Sequence, residues 1–338
     1  MGLMSSTRSP EEIACDARWL AQALDPVAGM VRLIAMDREA YRGASFLDDR
    51  ILQAPVDSQI VPWPVVEDAM SGARRHDARW IFHIGHVGST LVSRLLGELD
   101  GVIAIREPRL LRDLALSPPE ARERYLAPVP KLMSRTFAAD EIACVKATSF
   151  ASEIAPQLVP PGERALFMYA TPRNYIASIL AGENSLQELR MLAGPRAQRA
   201  NARDVYIPAQ NDTDHAAAAW AAEATALEAA AEAMADRRIA WADFDKMLRG
   251  MEAELARIAE FFGFTADAER VRALATGPLM RRYSKAPEHE YSAALRQELI
   301  AESSERFSRE IDRALAMLRA AAEKSPLLAR ALARAGEA

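Results

Sequence analysis

Short apolar runs alternating with helix-patterned stretches predict an α/β fold, a three-layer sandwich in which helices cover both faces of a central parallel sheet. Three observations carry this expectation. The runs at Arg79 to Ile84, Val102 to Ile105, Ile142 to Val145 and Ala165 to Tyr169 have the length and apolar density of strands buried on both sides. The first passes through glycines directly into Ser89-Thr90-Leu91-Val92-Ser93-Arg94-Leu95-Leu96, where Leu91, Leu95 and Leu96 recur at helical spacing, so the order is strand, tight loop, helix. Finally, 338 residues at 50% hydrophobic and 26% charged are enough for a sizeable core of ordinary globular composition.

The remaining elements extend this frame in both directions. Residues 11 to 40 carry helical periodicity through Ile13, Trp19, Leu20, Leu24, Val31, Leu33 and Ile34, and 41 to 65 is broken by Pro55, Pro62 and Pro64. Residues 1–75 therefore read as an N-terminal helical extension with an irregular segment, and 76–294 as the central domain. Within that domain the second run ends at Arg106-Glu107-Pro108, where Pro108 keeps Glu107 out of right-handed helical geometry. An alanine-rich helix at His215 to Ala235, a strand at Arg238 to Trp241 and an amphipathic helix at Met251 to Phe262 follow, the last stopped by Gly263. Residues 295–338 are expected as C-terminal helices packed on the same domain, with Leu299, Phe307, Ile311, Leu315 and Leu318 on one side.

Charge and cysteine usage narrow the class. A formal net charge of −5 gives no general case for nucleic acid or an anionic membrane, so any anion site is local. Cys15 and Cys144 are far apart and in no metal-ligand spacing, which suggests neither a disulfide framework nor a zinc site. No apolar signal core or membrane-length run is present, and a cytoplasmic, soluble protein without nucleic-acid or membrane partners is the expectation.

The first loop, Ile84-Gly85-His86-Val87-Gly88-Ser89-Thr90, has what a phosphate cradle requires. Glycine lets the backbone approach an anion, hydroxyls donate hydrogen bonds, and a helix N-terminus points at the charge. The nucleoside-triphosphate form of such a loop places a lysine directly before its hydroxyl residue, whereas here Gly88 is followed at once by Ser89.

In this respect the chain resembles the sulfotransferase superfamily. Its shortened P-loop runs proline, lysine or arginine, a hydroxyl residue, glycine and two further hydroxyl residues. Aligned on Gly88, the family's cation falls on His86 and its last two hydroxyls on Ser89 and Thr90. Imidazolium can stand in for lysine, although its charge near neutral pH is conditional. Three further segments follow in the family's order. Cys144-Val145-Lys146-Ala147-Thr148-Ser149 is similar to the lysine-hydroxyl element at a strand end. Ala170-Thr171-Pro172-Arg173-Asn174-Tyr175-Ile176-Ala177-Ser178 resembles the element whose leading arginine and final serine hold the donor's 3′-phosphate; Pro172, Arg173, Asn174 and Ser178 fit, and Ala170 stands in the arginine's place. Trp241-Ala242-Asp243-Phe244-Asp245 and the helix ending at Gly263 resemble packing features of the same family. The likeness spans roughly residues 79 to 290 and implies a P-loop NTPase-like fold.

The resemblance implies transfer of a sulfuryl group from 3′-phosphoadenosine 5′-phosphosulfate to a hydroxyl acceptor, a small molecule or a carbohydrate, with no metal expected. Gly85, His86, Gly88, Ser89 and Thr90 would hold the 5′-phosphosulfate. Ser178 would hold the 3′-phosphate together with Arg282 and Lys285 of the basic loop Met280 to Pro287, with Arg173 as a further cation. Glu107 is the candidate general base and resembles the acidic residue that many carbohydrate and protein sulfotransferases carry after this strand, Lys146 completes the catalytic set, and His83 reads as a core histidine. The acceptor itself is not legible, since its pocket would be built from 110 to 140 and 183 to 215. Two other readings stay open: a kinase-like enzyme using ATP and Mg²⁺ with Lys146 and an acidic partner at Asp243 or Asp245, and a degenerate binding or assembly module.

Overall fold

The computed structural model describes residues 9–281 and 293–337. Its N-terminal part begins with a short helix, Pro10–Cys15, closed by a capping box in which Ser9 and Glu12 satisfy each other's backbone N–H groups. Three strands follow, β1 (Trp19–Asp25), β2 (Met30–Ala35) and β3 (Ser58–Pro62), paired antiparallel in that order. The helical extension expected for this region is corrected accordingly. Nearly every residue of β1 is buried, so the two-residue alternation that identifies a strand is masked and its apolar positions fall by coincidence at helical spacing. A turn at Asp25 to Gly29 breaks the run. The Asp25 carboxylate accepts from the N–H groups of Val27 and Ala28, both at 2.9 Å, and Gly29 takes φ of +64°, where a side chain would be strained.

The second sheet contains β4 (Arg79–His83), β5 (Val102–Arg106), β6 (Ile142–Lys146), β7 (Arg164–Tyr169) and β8 (Arg238–Asp243). Its order is β5-β6-β4-β7-β8 and every pairing is parallel. Each of the four apolar runs read from the sequence is one of these strands. The molecule is therefore an α/β fold with one parallel and one antiparallel sheet, flanked by helices. Helices Ser89–Leu96 and Met251–Phe262 pack on the parallel sheet and on each other, and the alanine-rich helix Asp212–Ala233 reaches β4. Aromatic rings tie adjacent strands: Phe82 meets Phe167 edge-on at 5.7 Å, and Phe167 meets Trp241 at 5.1 Å.

This order places the chain reversal beside β4. From β4 the chain runs to β5 at one edge, returns to fill the gap with β6, then crosses to β7 on the other side. Ligands of open parallel sheets bind outside the carboxyl ends of the strands at such a point. Beyond the sheet, three C-terminal helices, Ala293–Arg306, Ser308–Ala322 and Pro326–Ala335, pack back on the central helices. No helix among the described residues is long and apolar enough to cross a membrane.

Candidate active site

At the carboxyl ends of β4, β5 and β6 lies a cavity of about 650 Å³, a size typical of small-molecule sites. Its floor is the loop predicted from sequence. Gly85, His86 and Gly88 take φ of +82°, +53° and +61°, which folds the loop tightly onto the N-terminus of helix Ser89–Leu96. Tight turns that change backbone hand, as from Val87 to Gly88, can bring successive backbone N–H groups to one side, the arrangement that binds anions. Gly88 is required twice over. Besides its left-handed backbone, a Cβ at this position would stand 1.9 Å from the Phe244 ring, which closes over the loop from the end of β8. The helix N-terminus behind Gly88 has no side-chain cap, and the Thr90 hydroxyl is buried without a hydrogen-bond partner. A buried hydroxyl of that kind costs free energy unless something supplies an acceptor.

His83, read as a core histidine, anchors this loop. Buried at the end of β4, it accepts from the Gly85 N–H through Nδ1 at 3.0 Å and places Nε2 2.9 Å from the Ala147 carbonyl. These partners assign the proton to Nε2, so His83 joins the loop to the end of β6 as a neutral imidazole. His86 lies on the cavity wall with Nε2 3.9 Å from Glu188 Oε2, an ion pair when the ring is protonated, and its edge packs on buried Tyr175. Lys146, at the end of β6, is only 1% exposed in its side chain and donates to Glu107 Oε1. Glu107 also has φ of +52°. Among the described residues only three non-glycine residues take positive φ, and two of them, His86 and Glu107, line this cavity. Such backbone conformations concentrate where function holds them.

Arg106 and Arg109, the arginines nearest Glu107 in the chain, are turned elsewhere. Arg106 is buried and donates to the carbonyls of Tyr41 and Arg42 in the last turn of helix Arg38–Gly43 and to that of its C-cap residue, Ala44. Burial pulls its pKa down to about 10, which leaves it charged at neutral pH. Arg109 pairs with Asp49 and Asp113. The cation facing Glu107 is therefore Lys146. Through Arg106 the segment after that helix is drawn over the cavity, where Phe46, Asp48 and Arg50 join its lining. The sequence offered no sign of that contribution.

Other predicted residues divide between the cavity and its surroundings. Gly85, Gly88, Ser89, Thr90 and Ser178 line it together with His86, Glu107 and Lys146. Arg173 does not; it reaches to Asp312 at 2.5 Å on a C-terminal helix. Ala170 is packed in the core, and its carbonyl accepts from the Trp220 indole at 3.0 Å. Asp243 caps helix Phe244–Arg249, and Asp245 accepts from Asn174 at 2.9 Å. Arg282 and Lys285 lie outside the described residues. No group of three or more potential metal ligands occurs among the described residues.

One residue was missed entirely. Arg296 enters the cavity from helix Ala293–Arg306, which packs against the helix carrying Ser178. Its guanidinium lies 5.1 Å from the Phe244 ring centroid, 3.5 Å from Asp245 and 3.4 Å from the His86 carbonyl, with Nε buried and without a partner. No motif marks it, because it sits in a helix more than 200 residues from the loop it touches.

No family model and no curated protein matches the chain. Among solved structures it is similar to the sulfotransferase domain from the curacin biosynthetic pathway, at 10% identity over 70% of this chain and 99% of that one, with a TM-score of 0.45. It is also similar to the sulfotransferase domain from the Synechococcus PCC 7002 olefin synthase, at 14% identity over 68% and 94% of the two chains, with a TM-score of 0.39.

Proposed function

We propose that the protein is a sulfotransferase-like enzyme that moves a sulfuryl group from 3′-phosphoadenosine 5′-phosphosulfate to a hydroxyl acceptor. The observation that carries this reading is the loop Gly85 to Thr90, an uncapped helix N-terminus with a buried unpartnered hydroxyl, set against Lys146, Glu107 and Arg296 in one cavity. The Thr90 hydroxyl and the Arg296 Nε are donors that an anion would satisfy. In this reading the loop amides, Ser89, Thr90 and His86 hold the phosphosulfate. Ser178 and Arg296 face the nucleotide's remaining phosphate, with Arg282 and Lys285 as further candidates.

The chemistry follows from who can take the proton. The acceptor oxygen attacks sulfur, its proton passes to the Glu107 carboxylate, and the bond from sulfur to the bridging oxygen breaks. The electron pair stays on the 5′-phosphate, which leaves as adenosine 3′,5′-bisphosphate. Negative charge grows on that bridging oxygen, and Lys146, His86 and the loop amides are the groups available to stabilise it. Lys146 has a second role in this scheme: it orients the Glu107 carboxylate.

Thermal-shift titration tests the proposal. A ligand at a hundred times its dissociation constant stabilises the folded state by about 2.7 kcal/mol. The expected outcome is stabilisation by adenosine 3′,5′-bisphosphate and none specific to ATP with Mg²⁺. Stabilisation by ATP with Mg²⁺ alone would replace this reading with the kinase-like one, and stabilisation by neither would remove the nucleotide.

A further inference from the structure

The cavity mouth differs in kind from its floor. Leu116, Met191, Leu295 and Leu299 line the opening and are 53%, 73%, 40% and 44% exposed. They come from three separate helices, Arg109–Leu116, Glu183–Asn201 and Ala293–Arg306. Of the seven exposed large hydrophobic residues among those described, these four converge on one opening, while Val27, Ile60 and Tyr206 do not line it. Scattered exposed apolar residues need no explanation, but convergence on a binding cavity does. Deeper in, Phe150 and Leu192 continue the apolar wall toward Lys146 and Glu107.

Arg50, Asp48 and Glu188, which line the cavity, have ionic partners. Arg50 pairs with Asp48 at 2.6 Å, and Glu188 lies 3.8 Å from Arg196. No Asn, Gln, Tyr or Trp among the described residues lines the cavity. The four residues at the mouth are apolar, and no amide side chain among the described residues of the lining stands beside them to satisfy the adjacent hydroxyls of a sugar.

We propose that the acceptor is an alcohol with an extended apolar body, its hydroxyl at Glu107 and its chain running past Phe150 and Leu192 to the mouth. This rests on the sulfuryl-transfer reading for its chemistry, and on the apolar wall for its substrate class. The carbohydrate acceptor is the class it disfavours.

Calorimetric binding of straight-chain primary alcohols from ethanol to octanol, with methyl glucoside as the polar comparison, tests it on the full chain. The expected result is an affinity that rises about fourfold per added methylene, as burial of each group from water requires. Leu116→Ser, Met191→Ser and Leu299→Ser change exposed positions, so folding is not at stake. Each should weaken octanol binding about tenfold and leave ethanol and bisphosphate binding unchanged. An affinity independent of chain length, or tighter binding of the glucoside, would overturn the proposal. Bisphosphate binding, measured in parallel, separates the two claims: alcohols that bind with the expected slope to a protein that ignores bisphosphate would retain the apolar site and remove sulfuryl transfer.

Discussion

The floor and the roof of the cavity are built in opposite ways. The floor comes from the carboxyl ends of β4, β5 and β6, where each strand delivers its functional group within a few residues of its last ladder bond: Gly85 to Thr90, Glu107, Lys146. The roof is assembled from segments remote in sequence, the stretch 44–50, the helix Glu183–Asn201 and the helix Ala293–Arg306. Its helices pack on their neighbours, and individual long side chains add ties to the floor, such as Arg106 on the carbonyls of Tyr41, Arg42 and Ala44, and Arg296 on the His86 carbonyl. The difference assigns the two parts different work. Under the proposed function, the floor fixed by the sheet would hold the reacting atoms, and the outlying helices would select the acceptor, while Arg296 reaches from one of them to the donor.

Substitutions should separate these roles. The largest effect is expected on the floor: Glu107→Gln keeps the side-chain shape and an oxygen for Lys146 but removes the base, and turnover should fall by about 10² to 10⁴-fold. Bisphosphate affinity should hold in that variant, as calorimetry can check. Next comes the tie between the two parts. Arg106→Met leaves three carbonyl acceptors without their charged donor, and denaturant unfolding should register a loss of about 3 kcal/mol. A loss much smaller than this would mean that the stretch 44–50 is held by something else. A smaller and more selective effect belongs to Arg296→Gln. Removing one charge-assisted contact should weaken bisphosphate binding about tenfold or more, beyond the loss of about 1 kcal/mol that the apo protein suffers with the Asp245 and His86 contacts. Unchanged affinity would return Arg296 to a purely packing role against Phe244.

What could be read in the sequence follows the same division. The parallel sheet was legible because strands buried on both faces are short, uniformly apolar and bounded by turns, and the loop was legible because its glycines and hydroxyls are adjacent in the chain. β1 was misread because burial removes the alternation that distinguishes a strand from a helix, leaving Trp19, Leu20 and Leu24 to imitate a helical face, whereas β2 keeps the alternation over only four residues, Met30 to Leu33. Arg173 fits its motif by position yet turns to Asp312, since neighbours that a motif does not contain decide where a long side chain goes. Ala170 shows the converse. Trp220 donates to its carbonyl from an alanine-rich helix some fifty residues away, and nothing local to Ala170 announces it. Arg296 and the apolar mouth were invisible for the same reason: their meaning lies entirely in long-range contact.

The most direct measurement of the central claim, that the loop after β4 is a phosphate cradle, is the thermal stability of Thr90→Val with and without adenosine 3′,5′-bisphosphate. The Thr90 hydroxyl is buried without a partner, so replacing it with a methyl group should leave the apo protein as stable as before or slightly more so. Bisphosphate should then bind about tenfold more weakly and stabilise the variant less than the parent at equal concentration. An apo protein destabilised by the substitution, or an undiminished bisphosphate response, would contradict the account.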